Sequence, residues 1–298
     1  MGTSLQPTII DEVDLEAQGE DLDAVAFALY QKAVRLGTWQ PAAVDLSQDR
    51  PDVEALDERH RAYLERFAAA FYNAEENVAR LFGPWVMAAP TTWMQAFFSS
   101  QLLEEFKHVE FTHRYFGEVL GHRNFRSALA NPVQDTLKDR SRRILRALEE
   151  DEESRTLALL EGTTHYMCVI EGVQAMTGYG IFHDVFTRKG LVPGLSEGYR
   201  LIRQDEGRHV GFGLRLLRHY ARKAPRYAQR IREIMEEYLP LVRVPYGQKI
   251  QVNGRVYDPP EEERGVERLM TLYQRRLEDI FGKGRGILPP HPIAPSSP

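Results

Sequence analysis

Glu-x-x-His occurs as "EFKH" (Glu105, His108) and as "EGRH" (Glu206, His209). Residues three apart share a face of a helix, so each pair can approach one metal ion from one side. A third copy, "EFTH" (Glu110, His113), falls on the same helix as the first. Glu110 lies five residues beyond Glu105, about 140° round the helix at ~100° per residue. Only one of these two pairs can face a given centre. Two pairs do not complete a dinuclear site, which requires one more Glu from each of two further helices. Glu171 interrupts the apolar run "YMCVIEG", and Glu75 or Glu76 stands on the helix before "EFKH". Spacing alone leaves the choice between Glu75 and Glu76 open. The helices then contribute in the order Glu, Glu-x-x-His, Glu, Glu-x-x-His, with similar spacing in both halves.

These residue types suit one chemistry. Four ionised carboxylates balance two divalent cations, which makes their burial tolerable. Carboxylates can chelate, bridge or shift as metal–oxygen distances change in a redox cycle. Neutral imidazoles add ligands suited to iron and manganese. Positions remain open for dioxygen or for a carboxylate ligand. A buried Arg partner is the competing explanation for Glu171, since buried acids are rarely unpaired.

Helices must position these groups, and the chain is patterned for them. "DLDAVAFALYQKAVRL" has apolar residues at three- and four-residue spacing and stops at Gly37. A connecting segment marked by Pro41 and Pro51 follows. "DERHRAYLERFAAAFYNAEENVARLF" reads as a long helix closed by Gly83-Pro84. The next begins near Thr91–Thr92, whose hydroxyls can cap it, and runs to Gly121. After Asn131-Pro132 come "VQDTLKDRSRRILRALEE" and an almost wholly apolar helix through "YMCVIEGVQAMTGYGIFHDVF", as expected at the centre of a bundle. Two more helices cover "EGRH" and "PRYAQRIREIMEEYL". Asn253-Gly254, within "KIQVNGRVYD", is the hairpin signal, near residues 249–257. A last helix spans about Pro260 to Phe281. The fold expected is all-α: a ferritin-like helical bundle with a four-helix metal-binding core, extra helices and one small hairpin. Residues 1–21 read as a mobile acidic segment, 22–281 as one domain and 282–298 as a disordered Pro-rich tail.

Composition sets the outer limits. The 298-residue chain has a net charge of −5, with no basic excess for nucleic acid and no polybasic stretch for a membrane surface. Its one cysteine, Cys168, excludes an intramolecular disulfide framework and suits a reducing compartment; beside Tyr166 it reads as a small buried apolar residue. No signal-peptide core and no bilayer-length apolar run are present, so the expectation is a soluble cytoplasmic protein.

The motifs "LGTWQPAAVDLSQDR", "AEENV", "LLEEFKH", "YMCVIEGVQAMTGY" and "RQDEGRH" together resemble the small, radical-generating subunit of class I ribonucleotide reductase. Within that superfamily the sequence is most similar to the ligand-binding oxidases with a heterodinuclear Mn/Fe centre. The resemblance covers roughly residues 22–225. It implies the ligand set Glu75, Glu105, His108, Glu171, Glu206 and His209, and so favours Glu75 over Glu76. It implies that Asp205 orients His108, that Trp39 lies near Asp205, for packing or for electron transfer, and that Tyr179 lies near the cluster.

The same resemblance separates two branches. Where most reductase subunits carry the radical tyrosine, this chain has Thr112 beside Phe111, and its last tyrosine is Tyr273 in a predicted helix. In the oxidases, a tyrosine five residues before the third ligand forms an ether with the β-carbon of a valine three after the first. Tyr166 and Val78 stand at those offsets. Each alone would be ordinary packing, and the pair together favours the oxidase. The resemblance further implies cofactors Mn and Fe, one each, with Fe/Fe as the other admissible pair. It implies dioxygen as co-substrate, a long-chain fatty acid bound by its carboxylate, and a homodimer. The alternatives are a reductase small subunit and a non-enzymatic iron-binding protein. The 30-residue separation of the first two ligands implies a shortened connection at "FGPWVMAAP", expected near the site entrance.

Overall fold

A computed structural model describes residues 21–121, 130–252, 254–258 and 262–282. The acidic segment 1–20 and the Pro-rich stretch 283–298 lie outside the described residues. The described chain is all-α apart from one hairpin. Helix α1 (Leu22–Leu36) begins at Asp21, whose carboxylate accepts from the backbone N–H groups of Asp23 and Ala24, and stops at Gly37. The connection read as irregular contains a short helix, α2 (Asp49–Ala55). Pro51 fits there because the first turn of a helix does not need its N–H.

Helix α3 (Glu58–Leu81) is capped by Asp57, and a short α4 (Gly83–Ala88) follows. Helix α5 (Thr92–Tyr115) starts at Thr91, whose hydroxyl accepts from Met94 N–H; a π turn over Phe116–Leu120 carries it to Gly121, in the left-handed conformation at φ 69°. Helices α6 (Pro132–Asp135) and α7 (Leu137–Ala147) lead to the central segment.

That segment departs from the expected plain helix. It is α8 (Glu152–Thr163), then twelve residues of π-helix over Thr164–Ala175, then α9 (Met176–Val185). Met176 N–H still reaches back to Glu171 O, five residues away. In an i→i+5 helix, residues five apart come onto one face. Tyr166 and Glu171, which an α-helix would splay apart, are such a pair.

Helix α10 (Pro193–Lys223) is the longest, at 31 residues. Its first turn is held by α2: buried Asp49 accepts from Gly194 N–H and Leu195 N–H, both at 2.7 Å. Carboxylate at a helix N-terminus is favoured by the unsatisfied donors and the helix dipole. Helices α11 (Pro225–Tyr238) and α12 (Glu262–Phe281) complete the bundle. Strands β1 (Ile250–Val252) and β2 (Arg255–Tyr257) pair antiparallel, as the Asn-Gly turn predicts. Two apolar clusters fill the interior. One gathers Phe82, Trp85, Phe97, Phe98 and Phe212; the other gathers Tyr63, Phe67, Phe111, Phe182 and Tyr199.

Candidate metal centre

Four elements converge on one buried cluster: α3 brings Glu75, α5 brings Glu105 and His108, the π segment brings Glu171, and α10 brings Glu206 and His209. All six residues are at most 5% exposed. Their ligand atoms form two overlapping sets, each within 4.8 Å: Glu75, Glu105, His108 and Glu206, and Glu105, Glu171, Glu206 and His209. Glu105 and Glu206 belong to both, so they stand where bridging carboxylates of a dinuclear pair would stand. His108 Nδ1 lies 3.3 Å from Glu75 and 3.5 Å from Glu105. His209 Nδ1 lies 3.1 Å from Glu105 and 3.3 Å from Glu171.

The electrostatics call for cations. Burial, with neighbouring carboxylates adding to it, pushes Glu75 and Glu206 up to about 8 and Glu171 up to about 7. Burial would raise Glu105 too, but hydrogen bonds from His108 and His209 hold it well below the usual range. Both histidines are pushed upward: burial alone would lower them, and the surrounding carboxylates overcome it. Glu171 Oε2 and Glu206 Oε2 are buried without a hydrogen-bond partner. Inward-facing imidazole nitrogens, a shared carboxylate pair and unsatisfied carboxylate oxygens all fit two metal ions.

The outer nitrogens of the histidines are held crosswise. His108 Nε2 lies 3.3 Å from Asp205 Oδ2, and His209 Nε2 lies 2.9 Å from Glu104 Oε2. Buried Arg208 joins the two carboxylates, donating to Glu104 and, at 2.6 Å, to Asp205. Asp205 also accepts from Trp39 Nε1 at 2.7 Å and from Lys107 at 3.4 Å. Burial would raise the Asp205 pKa, yet bonding to His108 and the nearby Arg208 and Lys107 charges hold it well below the carboxylate range. Glu104 and Arg208 escaped the sequence reading. A signal was present: an acid directly precedes the ligand glutamate in both "EEFKH" and "DEGRH".

The competing residues fall outside. Half-exposed Glu76 faces exposed Arg80 at 3.6 Å, and Glu110 and His113 are exposed. Tyr166 donates to Glu105 Oε1 at 2.6 Å and accepts from Gln101 Nε2 at 3.1 Å. Val78 is 4% exposed and borders, with Glu75, Glu105, Glu171 and Glu206, a cavity of about 970 Å³ including the part open to solvent. Tyr179 is buried against Phe71 at 4.9 Å and Tyr199 at 5.6 Å between ring centres, with no partner for its hydroxyl. Thr112 donates to His108 O, and Tyr273 is buried in α12. Cys168 is buried beside Met235. One expectation is corrected. The connection "FGPWVMAAP" does not line this cavity; Phe82 and Trp85 are buried and pack edge-on against Tyr166 at 5.2 and 5.9 Å. Their aromatic surface is taken up by the core, while Met87 in the same connection is exposed.

Comparison with known proteins agrees with this geometry. The family "Ribonucleotide reductase, small chain" matches residues 23–242. Solved structures of R2-like ligand-binding oxidase variants are similar in fold. A Tyr-to-Phe mutant with aerobically reconstituted Mn/Fe cofactor is 25% identical at a TM-score of 0.75, over 90% of this chain and 95% of that one. A Val-to-Ile mutant with anaerobically reconstituted Mn/Fe cofactor is 25% identical at a TM-score of 0.76, over 91% and 96%. A Val-to-Leu mutant, also with anaerobically reconstituted Mn/Fe, is 25% identical at 0.75, over 92% and 97%. With its buried carboxylate–histidine cluster and a match over most of its length, the chain belongs to the ribonucleotide reductase small-chain family.

Proposed function

We propose that the protein is a dimetal-carboxylate oxidase that activates dioxygen at a Mn/Fe centre and carries out a two-electron oxidation in a hydrophobic, fatty-acid-binding pocket. The observation that carries this reading is the join between cluster and cavity. Glu105 belongs to both ligand sets, receives the Tyr166 hydroxyl, and borders the same cavity as Val78. Glu75, Glu105, His108, Glu171, Glu206 and His209 would hold the metals. When bound, the pair supplies the redox capacity that dioxygen activation requires.

The rest belongs to the chain. Asp205 and Glu104 orient the imidazoles and fix which nitrogen faces the metals. Glu105 holds the Tyr166 phenol and can take its proton. Forming the ether breaks the Tyr166 O–H and the Val78 Cβ–H bonds and makes one O–Cβ bond; two electrons and two protons leave, and dioxygen accepts them. Phe67, Phe71, Ile170 and Ile181 give the cavity walls for an alkyl chain, and Tyr179 closes the aromatic shell behind Phe71. The family resemblance implies that the fatty acid's carboxylate would sit at the metals. It also implies a homodimer, for which exposed Leu103 and Phe106, one turn apart on α5, offer an apolar face. Among the described residues no helix is long and apolar enough to cross a membrane.

The test is to load apo protein with Mn(II) and Fe(II), admit air and weigh it. Loss of two hydrogens, mapped to a Tyr166–Val78 peptide and absent in Tyr166→Phe, is expected. Unlinked peptides after full turnover with both metals bound would sink the assignment. The reductase small subunit remains the second reading, favoured by the family match itself. The structure puts a threonine hydroxyl bound to a backbone carbonyl where that reading would most often have a phenol. Nucleotide reduction on mixing with a reductase large subunit would decide for it.

A further inference from the structure

We infer that the cavity takes a chain with an anionic group at both ends, the inner one at the carboxylate–histidine centre and the outer one at Arg66. This rests on the fatty-acid-pocket reading above and specifies its substrate class. Along α3 the residues facing the cavity are spaced three and four apart, from Arg66 through Ala70, Phe71 and Ala74 to Glu75 and Val78. They form one continuous helical stripe. Arg66 and Glu75 are nine residues apart, which at 1.5 Å per residue separates them by about 13–14 Å along the axis. Between them the stripe is apolar.

Arg66 is half-buried in the cavity wall. Its Nη1 donates to the carbonyl oxygens of Gln248 at 2.8 Å and Lys249 at 3.0 Å. Those are neutral acceptors, and among the described residues no carboxylate pairs with it. Burial lowers its pKa, as expected for a dehydrated charge without a counter-ion. A guanidinium with donors to spare matches a carboxylate in shape and charge.

The polar groups on the other wall are neutral, and most are bonded within the fold; Gln134 Oε1 accepts from Asn77 Nδ2 at 3.0 Å. The amides of Asn131 and Gln174 are turned to each other at 3.3 Å, and Gln174 Nε2 also donates to Val242 O at 3.0 Å. The charges free to recognise a ligand therefore stand nine residues apart along α3, at Arg66 and at the carboxylate–histidine cluster, with hydrocarbon-compatible surface between. A dicarboxylate with a medium-length methylene chain has this pattern.

The test is calorimetric titration of the Mn/Fe-loaded protein with dodecanoate and with dodecanedioate. Wild type should bind dodecanedioate at least ten-fold more tightly. Arg66→Met should remove that preference while leaving dodecanoate binding unchanged. Arg66→Lys, which keeps the charge and a donor for the two carbonyls, should retain part of it. Equal binding of the two acids by wild type overturns the inference and leaves the pocket reading standing, as does a preference that survives in Arg66→Met. A loss of dodecanoate binding in folded Arg66→Met also overturns it, by placing a single head group at Arg66. Failure of both acids to bind wild type removes the fatty-acid reading and this inference with it.

Discussion

Glu104 and Asp205 each hold the histidine of the other's helix. Glu104 on α5 lies 2.9 Å from His209 Nε2 on α10, and Asp205 on α10 lies 3.3 Å from His108 Nε2 on α5. Each acid sits one residue before a ligand glutamate and four before a histidine, yet serves the facing helix. Arg208, 5% exposed, ties the two acids together. The centre is thus braced across α5 and α10 by groups that touch no metal position.

Replacing Glu104 by Gln should therefore weaken metal binding without emptying the ligand set. The amide can still meet the imidazole, but it no longer favours the tautomer with Nδ1 free for the metal. Loss of such a partner lowers metal affinity about 10–100-fold. Competition against a chromogenic chelator measures it. An affinity equal to wild type would show that His209 needs no carboxylate behind it.

The same two helices depend on a close approach. A Cβ on Gly198 would lie 1.8–2.5 Å from three ring atoms of Phe111, one residue before Thr112 on α5. Gly198→Ala must push α10 from α5 or displace a fully buried ring. Overpacking of this kind costs about 1–3 kcal/mol, and here it also moves Glu206 and His209 away from Glu105 and His108. Lower denaturant midpoint and weaker metal binding together are expected, with Phe111→Leu restoring both. A neutral Gly198→Ala would mean that the ring has room to turn aside.

Much of this was legible in the sequence, and what was not has physical causes. Helix ends followed from local chemistry: Thr91 caps α5 as its hydroxyl suggests, and Gly37 and Gly121 stop where expected; the Asp21 and Asp57 caps emerge from the structure. The π segment was not legible, because an apolar run of this kind carries no periodicity to distinguish i→i+4 from i→i+5 bonding. Helix α2 was hidden by Pro51, which reads as a breaker unless its place in the first turn is known. Asp49 was hidden for another reason: its partners are the N–H groups of α10, 145 and 146 residues away in sequence. Choosing Glu75 over Glu76 needed the family pattern; the structure places Glu75 at 5% exposure and Glu76 beside Arg80.

His165 makes an acid-limb prediction independent of the metals. It is fully buried, stacked on Tyr238 at 4.2 Å, with Nε2 2.7 Å from Val133 O. Burial, aided by nearby Arg140, lowers its pKa to about 3. The unfolded chain gains a proton near 6.5 that the folded one refuses. Stability from this group is therefore present above about 6.5 and falls as pH drops toward 3, by up to ~1.4 kcal/mol per pH unit. His165→Gln keeps a donor for Val133 O and should flatten the decline in melting temperature between pH 6.5 and 4. An unchanged slope would assign the acid limb to other groups.

Glu171 gives the sharpest separation of stability from function. Its carboxyl is 3% exposed, Oε2 has no partner, and burial, with Glu105 nearby, raises its pKa to about 7. An acid whose folded pKa exceeds its unfolded value contributes stability at low pH and loses it as pH rises through the folded pKa. For apo wild type that window runs from about 4.3 to about 7. Glutamine resembles the protonated acid but has no proton to lose. Glu171→Gln apo protein should match wild type near pH 4 and become more stable by a few kcal/mol at most above pH 7. With metals the order should invert. Wild type gains stability by binding, in proportion to RT ln(1 + [L]/Kd), and the variant lacks one anionic ligand of the second set, so its gain shrinks. Melting curves of apo and Mn/Fe-loaded protein at pH 5 and pH 8 therefore cross between the two proteins. If Glu171→Gln is destabilised in the apo form at pH 8, the contact of Oε1 with His209 Nδ1 at 3.3 Å outweighs the burial of the charge, and the stability argument for a metal at Glu171 fails.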